Sequence, residues 1–200
     1  VSELSDIVAI IPAAGRSRRM GRDKPTVPVE GVPMLRRVVD VIRGGGVTSL
    51  VLVVRSDLSL PGLGEPAPRV VFNDNPHAEM IDSVRLALTE APATAAGYLV
   101  CPADVATLDA DSVSRCTAAF LEHPDALVVA CHEGKRGHPL IVPRDLLSDV
   151  RSSLCDGGLN QLVRHHAARV LEVPCASAGV LGNMNTPDDL PGSTRDASRA

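Results

Sequence analysis

Short apolar runs alternate along this chain with stretches in which apolar residues recur every three or four positions. Ile7 to Ile11, Leu50 to Val54, Arg69 to Phe72, Gly97 to Cys101, Ala126 to Cys131 and Val170 to Val173 read as strands. Between the first two, Met34, Leu35, Val38, Val39 and Ile42 share one helical face, opened by Pro33 and stopped by Gly44, Gly45 and Gly46. A second helix is expected from about Glu79 to Thr89, and Asp109 caps a third running to about Glu122. Two more are expected near Arg144 to Leu154 and Leu159 to His166. Leu60 to Pro68 reads as a surface loop and Asn73 to His77 as a turn. Strands alternating with helices mark an α/β protein with a mostly parallel sheet. The 200 residues suit one domain, taken as 1–190, followed by a polar, disordered tail at 191–200.

Composition narrows the function classes. The chain is 44% hydrophobic but has only two Phe, one Tyr and no Trp, so its core must be aliphatic and base-stacking platforms are scarce. With a net charge of −4, this argues against nucleic acid as a partner. The five cysteines, 101, 116, 131, 155 and 175, form no C-x-x-C pair, which fits buried thiols better than a zinc site or a disulfide framework. Neither an 18-residue apolar run nor a charged-then-apolar leader is seen, so no membrane contact and a cytoplasmic location are expected. Oligomeric state leaves no mark in the sequence.

The cations that do occur are concentrated. Four Arg and one Lys fall between Arg16 and Lys24, directly after the first strand and the small residues Ala13, Ala14 and Gly15. Bare backbone at the end of a buried strand can approach an anion closely, and the cations neutralise charge over several ångströms, a combination suited to polyphosphate. The spacing is neither that of the P-loop nor of G-x-G-x-x-G. A basic loop is also ordinary solvated surface, so a second feature is needed. Asp104 supplies one: it lies just past the strand ending at Cys101, where open α/β sheets bind ligands, and a carboxylate there suits Mg²⁺ or a helix-capping turn.

Ala13-Ala14-Gly15-Arg16-Ser17-Arg18-Arg19-Met20-Gly21, followed by Lys24, resembles the signature loop of the MobA-like NTP transferase family. The nearest members by pattern are the molybdenum cofactor cytidylyltransferases and guanylyltransferases. The resemblance continues through Asn75, Met80 and Ser83, Asp104, Gly137-His138-Pro139 and Asn183 to Pro187. It implies a Rossmann-like three-layer sandwich of the nucleotide-diphospho-sugar transferase type. The implied reaction is Mg²⁺-dependent transfer of NMP from an NTP to a phosphorylated or similarly anionic small acceptor, molybdopterin among the candidates, with release of pyrophosphate.

The same resemblance distributes the roles. Arg19, Lys24 and Asp104 are the catalytic residues; Ala13, Ala14, Gly15, Arg16, Ser17, Asn75 and Ser83 bind the nucleotide; Arg136 and His138 face the acceptor; Asp104 and Asn185 hold the metal. By itself the segment around Asn185 reads as a turn and helix start, and His138 as a turn histidine. Ala13-Ala14-Gly15 and Met80-x-x-Ser83 favour CTP over GTP, whereas the Asn183-x-Asn185 ending is the guanylyltransferase form. Glu79 stands where the relatives have Gly, and Val105-Ala106 where they have Gln-Pro or Thr-Pro. A guanylyltransferase and a nucleotide sensor that has lost its chemistry are the alternatives, and a basic-loop nucleic-acid binder is the weakest reading.

Overall fold

The computed structural model describes residues 6–15, 23–182 and 184. Arg16, Ser17, Arg18, Arg19, Asn185 and the tail expected at 191–200 lie outside the described residues.

The strands are β1 (Ile7–Pro12), β2 (Pro28–Val29), β3 (Val32–Pro33), β4 (Ser49–Val54), β5 (Arg69–Phe72), β6 (Gly97–Val100), β7 (Leu127–His132), β8 (Lys135–Pro143) and β9 (Val170–Pro174). The helices are α1 (Met34–Gly44), α2 (Met80–Glu90), α3 (Ala110–Glu122), α4 (Leu147–Arg151) and α5 (Leu159–His165). Seven strands form one sheet in the order β5-β4-β1-β6-β8-β7-β9, and β2 and β3 form a separate two-residue ladder. Pairing is parallel from β5 through β6 and between β7 and β9, while β8 runs antiparallel to both its neighbours.

Both faces of the sheet are covered, which is why the central strands are apolar throughout. Ile7, Ala9 and Ile11 of β1 point towards α1 and α3, packing with Leu35, Val38, Ile42, Val113 and Phe120. Val8 and Ile10 point the other way, into a core completed by Ile81 and Val84 of α2, Val150 of α4 and Leu162 of α5. The result is the Rossmann-like three-layer sandwich expected from the resemblance. The first half of the sheet grows outwards from β1 to β4 and β5, and the chain then returns to the other side of β1 as β6. That reversal leaves a crevice at the carboxyl ends of β1 and β6, the place where open α/β sheets receive ligands.

Two segments differ from the sequence reading. Gly137-His138-Pro139, read as a turn, lies in the nine-residue strand β8 at the heart of the sheet. The actual turn is the two-residue connection Glu133-Gly134, with φ of 48° and 76°, as a tight hairpin requires. The helix expected near Arg144 to Leu154 is instead a 3-10 turn, the short α4, and a second 3-10 turn at Ser153–Cys155. Arg85 of α2 explains the break: its guanidinium donates to the carbonyls of Val150 and Ser152 at 2.9 and 2.6 Å. Those acceptors are satisfied from another element rather than by continuing the helix.

Candidate active site

The crevice is built from two strand ends. Ala13 N donates to Val53 O at 2.8 Å and Ala103 N to Pro12 O at 3.2 Å, so the segment after β1 is held between the ends of β4 and β6. Ala13 is buried, Ala14 half-buried and Gly15 exposed. A Cβ on Gly15 would meet nothing within 4 Å among the described residues, and Arg55 Nη1 donates to Gly15 O at 3.2 Å. Ala13, Ala14 and Gly15 line a cleft of about 240 Å³ together with Lys24, Ser83 and Asp104.

Lys24 and Asp104, eighty positions apart, meet in this cleft with Nζ and Oδ2 at 2.7 Å. Their side chains are 14% and 25% exposed, so the pair is partly shielded yet reachable. Lys24 is fixed by a 3-10 turn over Lys24–Thr26, in which Thr26 Oγ1 donates to Asp23 O at 2.8 Å and Val27 N to Lys24 O at 3.1 Å. Met184 N donates to Asp104 O at 3.0 Å, which brings the chain immediately before Asn185 onto the aspartate. Val105 and Ala106, which follow Asp104, are almost fully buried.

The donor set suits Mg²⁺ of the substrate-bridging kind. Among the described residues no group of three or more His, Cys, Asp or Glu could cage an ion. One carboxylate in an open cleft, completed by water and substrate phosphates, is the usual protein contribution to such a site.

Of the residues expected to bind the nucleotide, Ala13, Ala14, Gly15 and Ser83 line the cleft, but Asn75 does not. Asn75 is exposed, and its Oδ1 accepts from His77 N at 3.0 Å. Asn73 takes the inner position: buried, it donates from Nδ2 to Ser83 Oγ at 3.2 Å, and its Oδ1 accepts from Asn75 N at 3.3 Å. One signal in the sequence could have found it, its place directly after β5.

A second cleft, about 390 Å³, adjoins the first and shares Glu79 and Met80 with it. Arg136 and His138 are on its wall, with Gly157, Gly158 and apolar side chains including Leu140 and Leu159. Arg136 Nε is bonded to Glu172 at 2.7 Å. Burial pushes the His138 imidazole below its usual pKa, against the opposing pull of the Asp104 charge and the Val100 carbonyl. Its Nδ1 is buried with no hydrogen-bond partner among the described residues. His166, assigned no catalytic role, is bonded to Asp149 at 2.7 Å. All five cysteines are buried and free, and burial pushes the thiols of Cys101 and Cys116 far up.

A doubly covered sheet with a crevice at its switch point, holding a lysine–aspartate pair, has the layout of an α/β protein that receives its ligand at the strand ends. Residues 9–170 match the model of the MobA-like NTP transferase domain, and the chain belongs to that family of nucleotidyltransferases. It is 29% identical over 202 residues to a molybdenum cofactor guanylyltransferase of Mesorhizobium japonicum, covering 95% of each chain. Over 102 residues it is 40% identical to a 2-C-methyl-D-erythritol 4-phosphate cytidylyltransferase of Nocardia farcinica, spanning 47% of this chain and 42% of that one. The crystal structure of Rv0371c from Mycobacterium tuberculosis H37Rv shares the fold, with a TM-score of 0.78 at 22% identity over 94% of this chain and 96% of that one. Another structure of that protein, a complex with manganese, gives a TM-score of 0.71 at 22% identity over 96% and 99% of the two chains. Among the described residues no helix is long and apolar enough to cross a membrane.

Proposed function

We propose that this nucleotidyltransferase moves GMP from GTP to a small phosphorylated or similarly anionic acceptor, molybdopterin among the candidates, with Mg²⁺ held at Asp104 and pyrophosphate released. The observation that carries this reading is the Lys24–Asp104 pair at 2.7 Å in the cleft that Ala13, Ala14 and Gly15 also line. GTP is preferred because the relative matched along almost its whole length is named a guanylyltransferase. The sequence motifs alone favoured CTP. That second reading keeps the support of Ala13-Ala14-Gly15 and of the partial match to a cytidylyltransferase.

Nucleotidyl transfer needs no protein nucleophile, so the work of these residues is placement and charge stabilisation. Incoming phosphates compete with Asp104 for Lys24 Nζ, and the carboxylate is released as the nucleotide arrives. Bound there, Mg²⁺ neutralises phosphate charge and favours the in-line geometry. On the family pattern Arg16, Ser17 and Arg19 extend the phosphate contacts, and Asn185 contributes a neutral oxygen to the metal. The acceptor occupies the second cleft and attacks through an anionic oxygen: its bond to the α-phosphorus forms as the bond to pyrophosphate breaks. His138, kept neutral by burial, offers hydrogen bonding rather than charge.

Pyrophosphate release with Mg²⁺, each of the four NTPs, and molybdopterin or other phosphorylated acceptors tests the proposal. GTP is expected to give the fastest release. Fastest release with CTP establishes the second reading. Tight NTP binding without turnover on any acceptor, unaffected by Asp104→Ala, establishes a sensor.

A further inference from the structure

We infer that Arg55 is a positioning residue of the nucleotide site, a clamp that fastens both ends of the cationic phosphate loop and thereby places Lys24. The inference rests on the reading of that site proposed above.

Arg55 follows β4 directly, and β4 is the parallel neighbour of β1, with Val53 opposite Pro12. This register delivers the guanidinium to the start of the phosphate loop. Only 7% of the side chain is exposed, and the planar fork is used on three sides. Nη1 donates to Gly15 O at 3.2 Å, Nη2 to Asp23 Oδ1 at 2.5 Å and Nε to Asp57 Oδ1 at 2.8 Å. Gly15 and Asp23 stand on either side of the segment that carries Arg16 to Arg22. A single rigid group bonded to both fixes the span that the intervening chain must bridge.

The fixation passes on to the chemistry. Asp23 O accepts from Thr26 N at 3.0 Å and from Thr26 Oγ1 at 2.8 Å, so the anchored aspartate also anchors the turn that carries Lys24. Lys24 in turn reaches Asp104. Arg55 is not among the residues lining the nucleotide cleft, so it acts through the loop and not on the substrate. Of its two carboxylates, Asp57 is only two residues away and neutralises the charge locally, whereas Asp23 ties the guanidinium to the loop. The hydrogen bonds to Asp23 and Asp57 also hold the guanidinium above its ordinary pKa, that to Asp23 the more strongly.

Without the clamp, the nucleotide must order the loop ends on binding and its affinity falls. Calorimetric titration of the full chain with MgGTP and MgCTP compares wild type with Arg55→Lys, Asp23→Asn, Asp57→Asn and the Arg55→Lys/Asp23→Asn double variant. Arg55→Lys and Asp23→Asn are each expected to raise the Kd about tenfold, the double variant little further, and Asp57→Asn less than about twofold. In turnover the NTP KM rises and the acceptor KM stays; a purely structural loss lowers the active fraction and leaves both. Wild-type affinity in Arg55→Lys and Asp23→Asn, or an equal loss in Asp57→Asn, overturns the clamp. Should wild type bind neither nucleotide, the reading of the site fails. The clamp is then judged by trypsin cleavage at Arg16 to Arg22, expected to be faster in Arg55→Lys and Asp23→Asn than in wild type or Asp57→Asn. Equal rates in all four proteins overturn it.

Discussion

Gly137→Ala separates the two clefts by a purely steric perturbation. A Cβ at this position would lie 2.1 Å from Val180 O and 2.7 Å from Val180 C, and real Cβ atoms essentially never approach closer than 3.0 Å. The 3-10 turn at Ala178–Leu181 must therefore retreat by roughly 1 Å, yet its far side is also blocked. A Cβ on Gly179 would lie 2.0 Å from Thr107 O, so the turn is already wedged between β8 and the segment after β6. Overpacking of this kind costs about 1–3 kcal/mol, and the backbone obstacle favours the upper half of that range. For a chain of this size that lowers Tm by roughly 4–12 °C. Because Gly137, Val180 and Leu181 line the second cleft and not the first, acceptor KM should rise severalfold while the Kd for MgGTP stays within about twofold. Differential scanning fluorimetry and nucleotide titration measure the two effects. Gly134→Ala is the comparison: its φ is 76°, with nothing within 4 Å of the added Cβ, so it costs about 1 kcal/mol of backbone strain and leaves both clefts unchanged. A Gly137→Ala protein as stable as wild type, or one that loses nucleotide affinity first, refutes the reasoning.

Asp104→Asn should lower pyrophosphate release at least about a hundredfold. It should also destabilise the unliganded protein by about 1–2 kcal/mol, since the partly shielded Lys24–Asp104 pair lies between exposed and buried ion pairs in worth; unchanged turnover rules out the assigned role. Asp145→Asn tests acid stability away from both clefts. The hydrogen bond from Arg169 holds the Asp145 carboxyl below its usual pKa, so its contribution is present above the unfolded value and is lost as pH falls through the folded one. With Asp145 59% exposed, the contribution is under about 1 kcal/mol. Urea midpoints of wild type and variant should differ most above about pH 4 and converge at lower pH; a gap that widens in acid contradicts the assignment.

The strands that carry the crevice were legible because they are buried on both faces and stand out as apolar runs: β1, β4 and β6 fall at or within a residue of the runs read for them. β8 was not legible. Its first half contains Lys135, Arg136, Gly137 and Pro139, residues that locally favour a turn, and only pairing with β6 and β7 makes them a strand. Gly137 is required there by the Val180 backbone pressed against it, a contact between residues 43 positions apart in sequence. Asn73 and Arg55 were missed although each follows a readable strand, the same positional signal that identified Asp104. The family resemblance named Asn75 instead, which is exposed.

The sequence by itself determined the α/β class and the cationic segment after the first strand, because these follow from local periodicity and composition; Lys24 and Asp104 were singled out by the family resemblance, with the strand-end position of Asp104 in support. The tertiary structure alone decided what those residues do together. Parallel pairing of β1 with β4 and β6 brings Lys24 to Asp104 and Arg55 to both ends of the loop. Strand order creates the crevice, and antiparallel β8 adds the second cleft beside it. Long-range pairing depends on which buried surfaces and ladders complete one another, and no local stretch of sequence contains both partners.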